Sequence, residues 1–196
     1  MAHSIADYYD ARVDQYLHSY QRCGWVSPDS QYRRFWALTH HFDYRDAVVL
    51  DAGCGDGEFF KFCQSEFPDW RYVGIDVSSR MIQAARDRLP NGLFMESDLL
   101  TFTGDYDYVV CSGALNHLTP DPIGQLHCHL SNLYGMCQIA TSITLLSNLS
   151  SHNSRSDRFM YYSPMEVMEL ALSLTPYVDI NHTYADNDFC VTLFRR

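Results

Sequence analysis

Basic residues are scarce: 14 Lys and Arg stand against 24 Asp and Glu in 196 residues, a formal net charge of −10. Nonspecific binding to a phosphate backbone needs a surplus of Lys and Arg on some face, so no nucleic-acid partner is expected. Long apolar runs are also missing. Nothing approaches the length needed to cross a bilayer, and MAHSIADYYDARVDQY has no apolar core of a secretion signal. No membrane partner is expected, and a cytoplasmic location is. Paired cysteines are absent as well. Cys23, Cys54, Cys63, Cys111, Cys128, Cys137 and Cys190 are odd in number, scattered and without a CxxC pair, which suits reduced thiols. His127-Cys128-His129 has no second ligand pair of the kind structural zinc takes, so no metal is expected.

What is present is an alternation of strand and helix signals. Residues 4–22 carry Ile5, Tyr8, Tyr9, Val13, Tyr16, Leu17 and Tyr20 at helical spacing. Ser27-Pro28-Asp29 opens a helix toward His41. Short apolar strands follow at AVVL, Arg71 to Asp76, Leu93 to Asp98, Tyr106 to Cys111 and Met136 to Leu146. Helices are expected between them, one opened by Ser78 or Ser79 and one by Thr119-Pro120-Asp121. Ser163-x-x-Glu166 has capping-box spacing. YVDINHTY and DFCVTLFRR read as a closing hairpin. The pattern predicts an α/β fold, doubly wound around a mostly parallel sheet. The polar stretch 147–158 reads as a loop whose direction is open.

Three glycines follow the first strand, in VVLDAGCGDGEFF. The spacing Gly53-x-Gly55-x-Gly57 puts Glu58 where a pyrophosphate-binding G-x-G-x-x-G wants its third glycine. The Lys-Ser/Thr of a P-loop is missing too. The ligand therefore lacks a pyrophosphate, and Asp51 and Asp56 suit one with positive charge. Asp76, at the end of the second strand, is placed to accept from both hydroxyls of a ribose. Asp98, at the end of the third, is placed to accept from an exocyclic amine. Together they describe a cationic nucleoside without phosphates, which a sulfonium nucleoside fits.

These segments resemble the class I S-adenosylmethionine-dependent methyltransferases. VVLDAGCGDGEF is similar to the family's first motif, YVGIDVSSRMIQAAR to its second, and SDL and YDYVVCSGALNHL to its third and fourth. The resemblance implies a Rossmann-like seven-stranded sheet in the order 3-2-1-4-5-7-6, the last strand antiparallel, in one domain. Residues 1–44 would form a helical lid and substrate region, and 45–196 the core. It implies S-adenosylmethionine as cofactor. Asp51, Gly53, Gly55 and Gly57 would line its methionine part, and Asp76 would hold the ribose. Val77 and Met81 would pack on adenine, and Asp98 with Leu99 would read its edge. Ser112, Gly113 and Ala114 would face the sulfonium.

His117 is the candidate general base, since its ordinary pKa suits proton removal near neutrality. Asn116 beside it is a candidate to orient substrate. Tyr8, Tyr9 and Tyr161 are candidate walls of a substrate pocket, and Gln31 and Arg34 candidate partners of the methionine carboxylate. The D/N-P-P-Y/F and Pro-Cys motifs of base-modifying relatives are missing, and little inserted sequence exists to build a protein-docking domain. The expected reaction is methyl transfer to an O or N atom of a small molecule. A non-catalytic cofactor-binding subunit and a protein methyltransferase stay open as alternatives, as does the oligomeric state.

Overall fold

The computed structural model describes residues 4–43, 46–150 and 155–196. Seven strands form a single sheet in the order β3-β2-β1-β4-β5-β7-β6. In chain order they are β1 (Val48–Ala52), β2 (Arg71–Asp76), β3 (Leu93–Glu96), β4 (Tyr106–Ser112), β5 (Cys137–Leu146), β6 (Val178–Asn181) and β7 (Asp188–Phe194). The first five pair in parallel. β7 runs antiparallel to β5 and β6, so the expected hairpin closes the sheet. The expected order stands.

Alternation along β1 shows how the sheet is buried. Val49 packs into a core with Phe35, Phe59, Phe62 and Tyr108 on one face. Leu50 and Ala52 pack with Leu126, Leu130, Val167 and Phe189 on the other. Successive side chains of a strand point to opposite faces, so both faces must be covered. α3 (Pro28–Thr39), α4 (Glu58–Glu66) and α5 (Ser79–Arg88) cover the first, and α6 (Pro122–Met136) and α7 (Pro164–Leu172) the second. Side-chain caps start α3, α5, α6 and α7 at Ser27, Ser78, Asp121 and Ser163. Within Thr119-Pro120-Asp121 it is Asp121 that caps α6, because Pro122 takes its first turn and the Asp121 carboxylate accepts from Gly124 N–H at 3.0 Å.

The N-terminal segment departs from expectation. Residues 4–22 are not one helix. α1 (Ile5–Gln15) stops at Tyr16, whose backbone is extended, and a short α2 (Ser19–Arg22) follows. Arg12 holds the reversal: its guanidinium donates to the carbonyls of Arg22, at 2.8 Å, and of Gln21. Leu17 then lies 81% exposed at the bend instead of on an apolar face.

α1 lies against α5. Ser78 Oγ donates to Asp10 Oδ1 at 2.6 Å, and Arg80 pairs with Asp14. α1 therefore roofs the strand ends where β1, β2 and β4 give way to loops.

Part of the 147–158 loop, residues 151–154, lies outside the described residues. Its return limb runs toward the same strand ends. Phe159 bridges His117, Leu118 N–H donates to Arg158 O, and Met160 N–H donates to Asn116 O.

Candidate active site

The loop after β1 is shaped by contacts that leave no room for side chains. Gly53, Gly55 and Gly57 have φ of 82°, 53° and 85°, a region glycine alone enters without strain. A Cβ on Gly53 would sit 2.4 Å from Cβ of Ala114, and one on Gly55 2.9 Å from Sγ of Cys23. These two glycines face the strand-end cleft. Gly57 does not: its surroundings are Leu89 and Phe94 of the core. It permits α4 to start and packs at its foot.

Asp76 ties this loop to β2. Oδ2 accepts from Gly55 N–H and Oδ1 from Ser78 N–H, each at 2.9 Å. Its pKa is raised by burial, against those backbone hydrogen bonds. Asp51 is buried beside it, and Tyr72 Oη donates to Asp51 Oδ2 at 2.6 Å. Burial pushes Asp51 up to about 7. Asp56 plays a different part from the one expected. Its carboxylate receives Ser19 Oγ, Arg22 Nη1 at 3.1 Å and Arg88 Nη1 at 2.7 Å. It is neutralised inside the protein and offers no charge to a ligand. Glu58 is held by Arg88, Lys61 and Tyr32.

Two cavities meet at these strand ends. The larger, about 400 Å³, is walled by Asp76, Val77, Asp98, Leu99, Ala114 and Leu115, and by α1 and α6 through Ile5, Tyr9, Gln125 and Leu126. The smaller, about 50 Å³, runs under the glycine loop between Asp51, Gly53, Gly55, Ser112, Gly113 and Met81. Tyr9, Gly53, Asp76 and Ala114 belong to both. Ser112 Oγ, in the smaller, and Thr119 Oγ1, in the larger, have no hydrogen-bond partner among the described residues. Buried hydroxyls without partners are rare in native proteins and point to an absent ligand or water.

Trp25 closes the smaller cavity from above. It lies against Gly113, where a Cβ would meet its ring at 2.6 Å. The Arg34 guanidinium stacks on Trp25 at 4.1 Å and pairs with buried Asp188 at 2.9 Å. Arg34 is thus committed to Asp188 and Ser30, and does not serve a ligand carboxylate. Gln31 does line the smaller cavity.

His117 is boxed by the rings of Tyr8, Tyr9 and Phe159, at 5.4, 5.3 and 5.3 Å. Its Nε2 lies 3.0 Å from Tyr9 Oη. Burial, with Arg158 acting the same way, lowers its pKa, so the ring is neutral near pH 7. Asn116 has a structural task. Its Oδ1 accepts from Leu146 N–H at 2.9 Å and its carbonyl from Met160 N–H, which fastens the loop after β4 to the end of β5. It does not line either cavity.

The three candidate tyrosines part company. Tyr9 lines both cavities. Tyr8 stands behind, its hydroxyl taken by Arg12 and its ring covered by Arg158. Tyr161 turns outward to Ser156 N–H and Arg155, and Tyr162 lines the larger cavity instead. Its hydroxyl donates to Leu115 O at 2.9 Å. The bridge between Ser147 and Tyr162 settles which of the two faces inward, a long-range pairing that the local sequence does not display. Cys23, Trp25 and Leu115 are further walls with no sequence signal.

Residues 49–133 match the family model described as a methyltransferase domain. That stretch is similar to the family; it is 85 of the chain's 196 residues. The chain's match to a trans-aconitate 2-methyltransferase of Paracidovorax citrulli is 43% identical over 51 residues, 26% of this chain and 20% of that protein. The match to the enzyme of that name from Yersinia pestis is 33% identical over 76 residues, 38% of this chain and 30% of the other. The chain thus spans less than a third of the curated relatives it matches. Among solved structures, magnesium protoporphyrin IX methyltransferase of Synechocystis with bound S-adenosylhomocysteine superposes with a TM-score of 0.70, at 16% identity and 98% of both chains. The chain thus shares the fold of that structure over nearly its whole length.

Proposed function

We propose that this chain is an S-adenosylmethionine-dependent methyltransferase acting on an O or N atom of a small molecule. The observation that carries the reading is the junction of the two cavities at Gly53, Asp76 and Ala114. A nucleoside fits the larger side, with Asp76 at the ribose, Val77 and Leu99 at the base and Asp98 at its amine. A short amino-acid tail fits the smaller side, between the glycine loop, Asp51, Gln31 and the orphan hydroxyl of Ser112. The bound cofactor supplies an activated methyl group. The carboxylates of Asp51 and Asp76 favour its positive charge, and the protein aligns the acceptor, which is where much of the rate of such a displacement arises.

Both curated relatives and the superposed structure are named for methyl transfer to small molecules, which supports the same acceptor class here. Calorimetric titration tests the reading. S-adenosylmethionine and S-adenosylhomocysteine should bind tightly and NAD should not. Failure of both sulfur nucleosides to bind would end it.

A further inference from the structure

We propose that the acceptor is a neutral, phenol-type hydroxyl compound, and that Tyr9 is a catalytic residue that takes the acceptor's proton while passing its own to His117. The proposal rests on the methyltransferase reading above and narrows it to one acceptor class.

Position singles out Tyr9. Four residues belong to both cavities, namely Tyr9, Gly53, Asp76 and Ala114, and of these Tyr9 alone carries an O–H. Its oxygen lies 3.0 Å from Nε2 of His117. The direction of that hydrogen bond follows from the groups around it. Tyr9 is half-buried, and desolvation, with Cys23, Asp76 and Tyr8, opposes its ionisation while Arg12 favours it; the net effect keeps the phenol protonated. His117 faces the rings of Tyr8 and Tyr9, and burial, with the Arg158 cation, keeps it neutral. A phenol O–H donates, so Nε2 accepts, and the imidazole's own proton sits on Nδ1.

Charge selects the acceptor. Among the described residues, neither cavity is lined by Lys or Arg, while Asp51, Asp76 and Asp98 are present; Glu58 also lines the smaller one but is paired with Arg88 and Lys61. The nearby cations lie outside the lining: Arg158 and Arg12 on Tyr8, Arg34 on Trp25 and Arg88 on Glu58. A carboxylate or phosphate acceptor would meet negative charge and no counterion. A neutral amine attacks with its lone pair before it sheds a proton, so it needs no proton acceptor in line. A hydroxyl does need one, because its oxygen becomes a strong nucleophile only as the proton leaves. The apolar walls Ile5, Ala6, Leu115 and Tyr162 suit a flat, uncharged body.

The step balances. The acceptor O–H breaks as its proton passes to Tyr9 Oη, and the Tyr9 proton passes to Nε2. The acceptor oxygen forms the new bond to the methyl carbon, and the C–S electron pair returns to sulfur. The products are a methyl ether, a thioether and a His117 imidazolium.

The test uses the full chain with 7-hydroxycoumarin, benzoate, trans-aconitate and benzylamine as probes, reading S-adenosylhomocysteine and methylated product. Methylation of the hydroxyl probe alone is expected. Tyr9→Phe should lower kcat by roughly 10²-fold or more, flatten its pH profile, and leave S-adenosylmethionine affinity little changed. Without any ligand, ¹⁵N NMR of the histidines should show His117 Nε2 as a hydrogen-bonded acceptor in the wild type and free of that bond in Tyr9→Phe. Methylation of benzoate, trans-aconitate or benzylamine in preference to the hydroxyl overturns the acceptor class, as does cofactor binding without turnover of the hydroxyl probe. Wild-type kcat and an unaltered His117 spectrum in Tyr9→Phe overturn the relay. Absence of cofactor binding to the wild type is a separate result and removes the underlying methyltransferase reading.

Discussion

At the scale of single residues, two aspartates close together are both raised by burial and differ in their partners. Asp76 has both oxygens engaged by backbone N–H groups of the glycine loop and the α5 entrance, and lone pairs remain for a ribose. Asp76→Ala should weaken S-adenosylmethionine binding by roughly 1.5–3 kcal/mol, about 10- to 100-fold. Calorimetry that returns an unchanged Kd would remove Asp76 from the ribose. Asp51 is a burden in the free state. Its folded pKa of about 7 lies above the ordinary 3.8, so the folded protein holds a proton that the unfolded chain releases between those values. Stability from this group is therefore highest at low pH and is lost as pH rises from about 4 to about 7. The loss approaches about 4 kcal/mol at an extreme, by 1.36 kcal/mol per pH unit. Asp51→Asn keeps an oxygen for Tyr72 and removes the buried charge. It should raise the urea midpoint at pH 8, raise it far less at pH 5, and weaken cofactor binding. An equal gain at both pH values would contradict buried charge as the cause. Asp51 and Asp76 are visible in sequence because strand-end carboxylates beside glycines are local patterns. The quenching of Asp56 is not, since Arg22 and Arg88 reach it from 34 and 32 positions away.

At the scale of elements, strands were legible where apolar runs are short and bounded, as in RYVGID, whose limits match β2. The early end of α1 was not, because aromatic periodicity continues through Tyr16 and Tyr20 while Arg12 turns the backbone back. Two fastenings hold the N-terminal helices over the site, and they differ in kind. The pair between Arg34 on α3 and Asp188 on β7 is buried at both ends. Arg34→Ala leaves the Asp188 carboxylate with the Tyr184 hydroxyl as its remaining side-chain hydrogen bond among the described residues, and should cost about 3–5 kcal/mol of unfolding free energy. It also removes the support of Trp25. Chemical denaturation checks this, and a loss under about 1 kcal/mol would mean that water reaches Asp188 freely. The link between Asp10 and Ser78 is half-exposed, so Asp10→Ala should act locally. Amide exchange in residues 5–15 should speed up roughly tenfold, with little change in β1 or β4, because one hydrogen bond is worth about 0.5–1.5 kcal/mol. Equal acceleration throughout the sheet would show that α1 is part of the global folding unit.

For the molecule as a whole, the sheet order was reachable from motif order, but the acceptor region was not. Its walls come from residues 5–9, 114–126 and 162, segments that meet only after the sheet has wound in both directions. The glycine loop, by contrast, is contiguous, and so it was legible. The same assembly makes ligand binding a whole-molecule event. A cofactor at the cavity junction would touch α1, the loop after β1, the ends of β2 and β4, and the start of α6 at once. Each must be in place for binding, so a ligand selective for the folded state stabilises all of them by mass action. At a hundred times its Kd it should add about 2.7 kcal/mol. For a chain of this size roughly 2–4 °C accompanies each kcal/mol, so S-adenosylhomocysteine should raise Tm by about 5–10 °C, and NAD should leave it alone. Asp76→Ala should lose most of that rise at the same ligand concentration, whereas Tyr9→Phe should keep it. A rise abolished equally by both substitutions would place Tyr9 in cofactor binding and leave the proton without its path to His117.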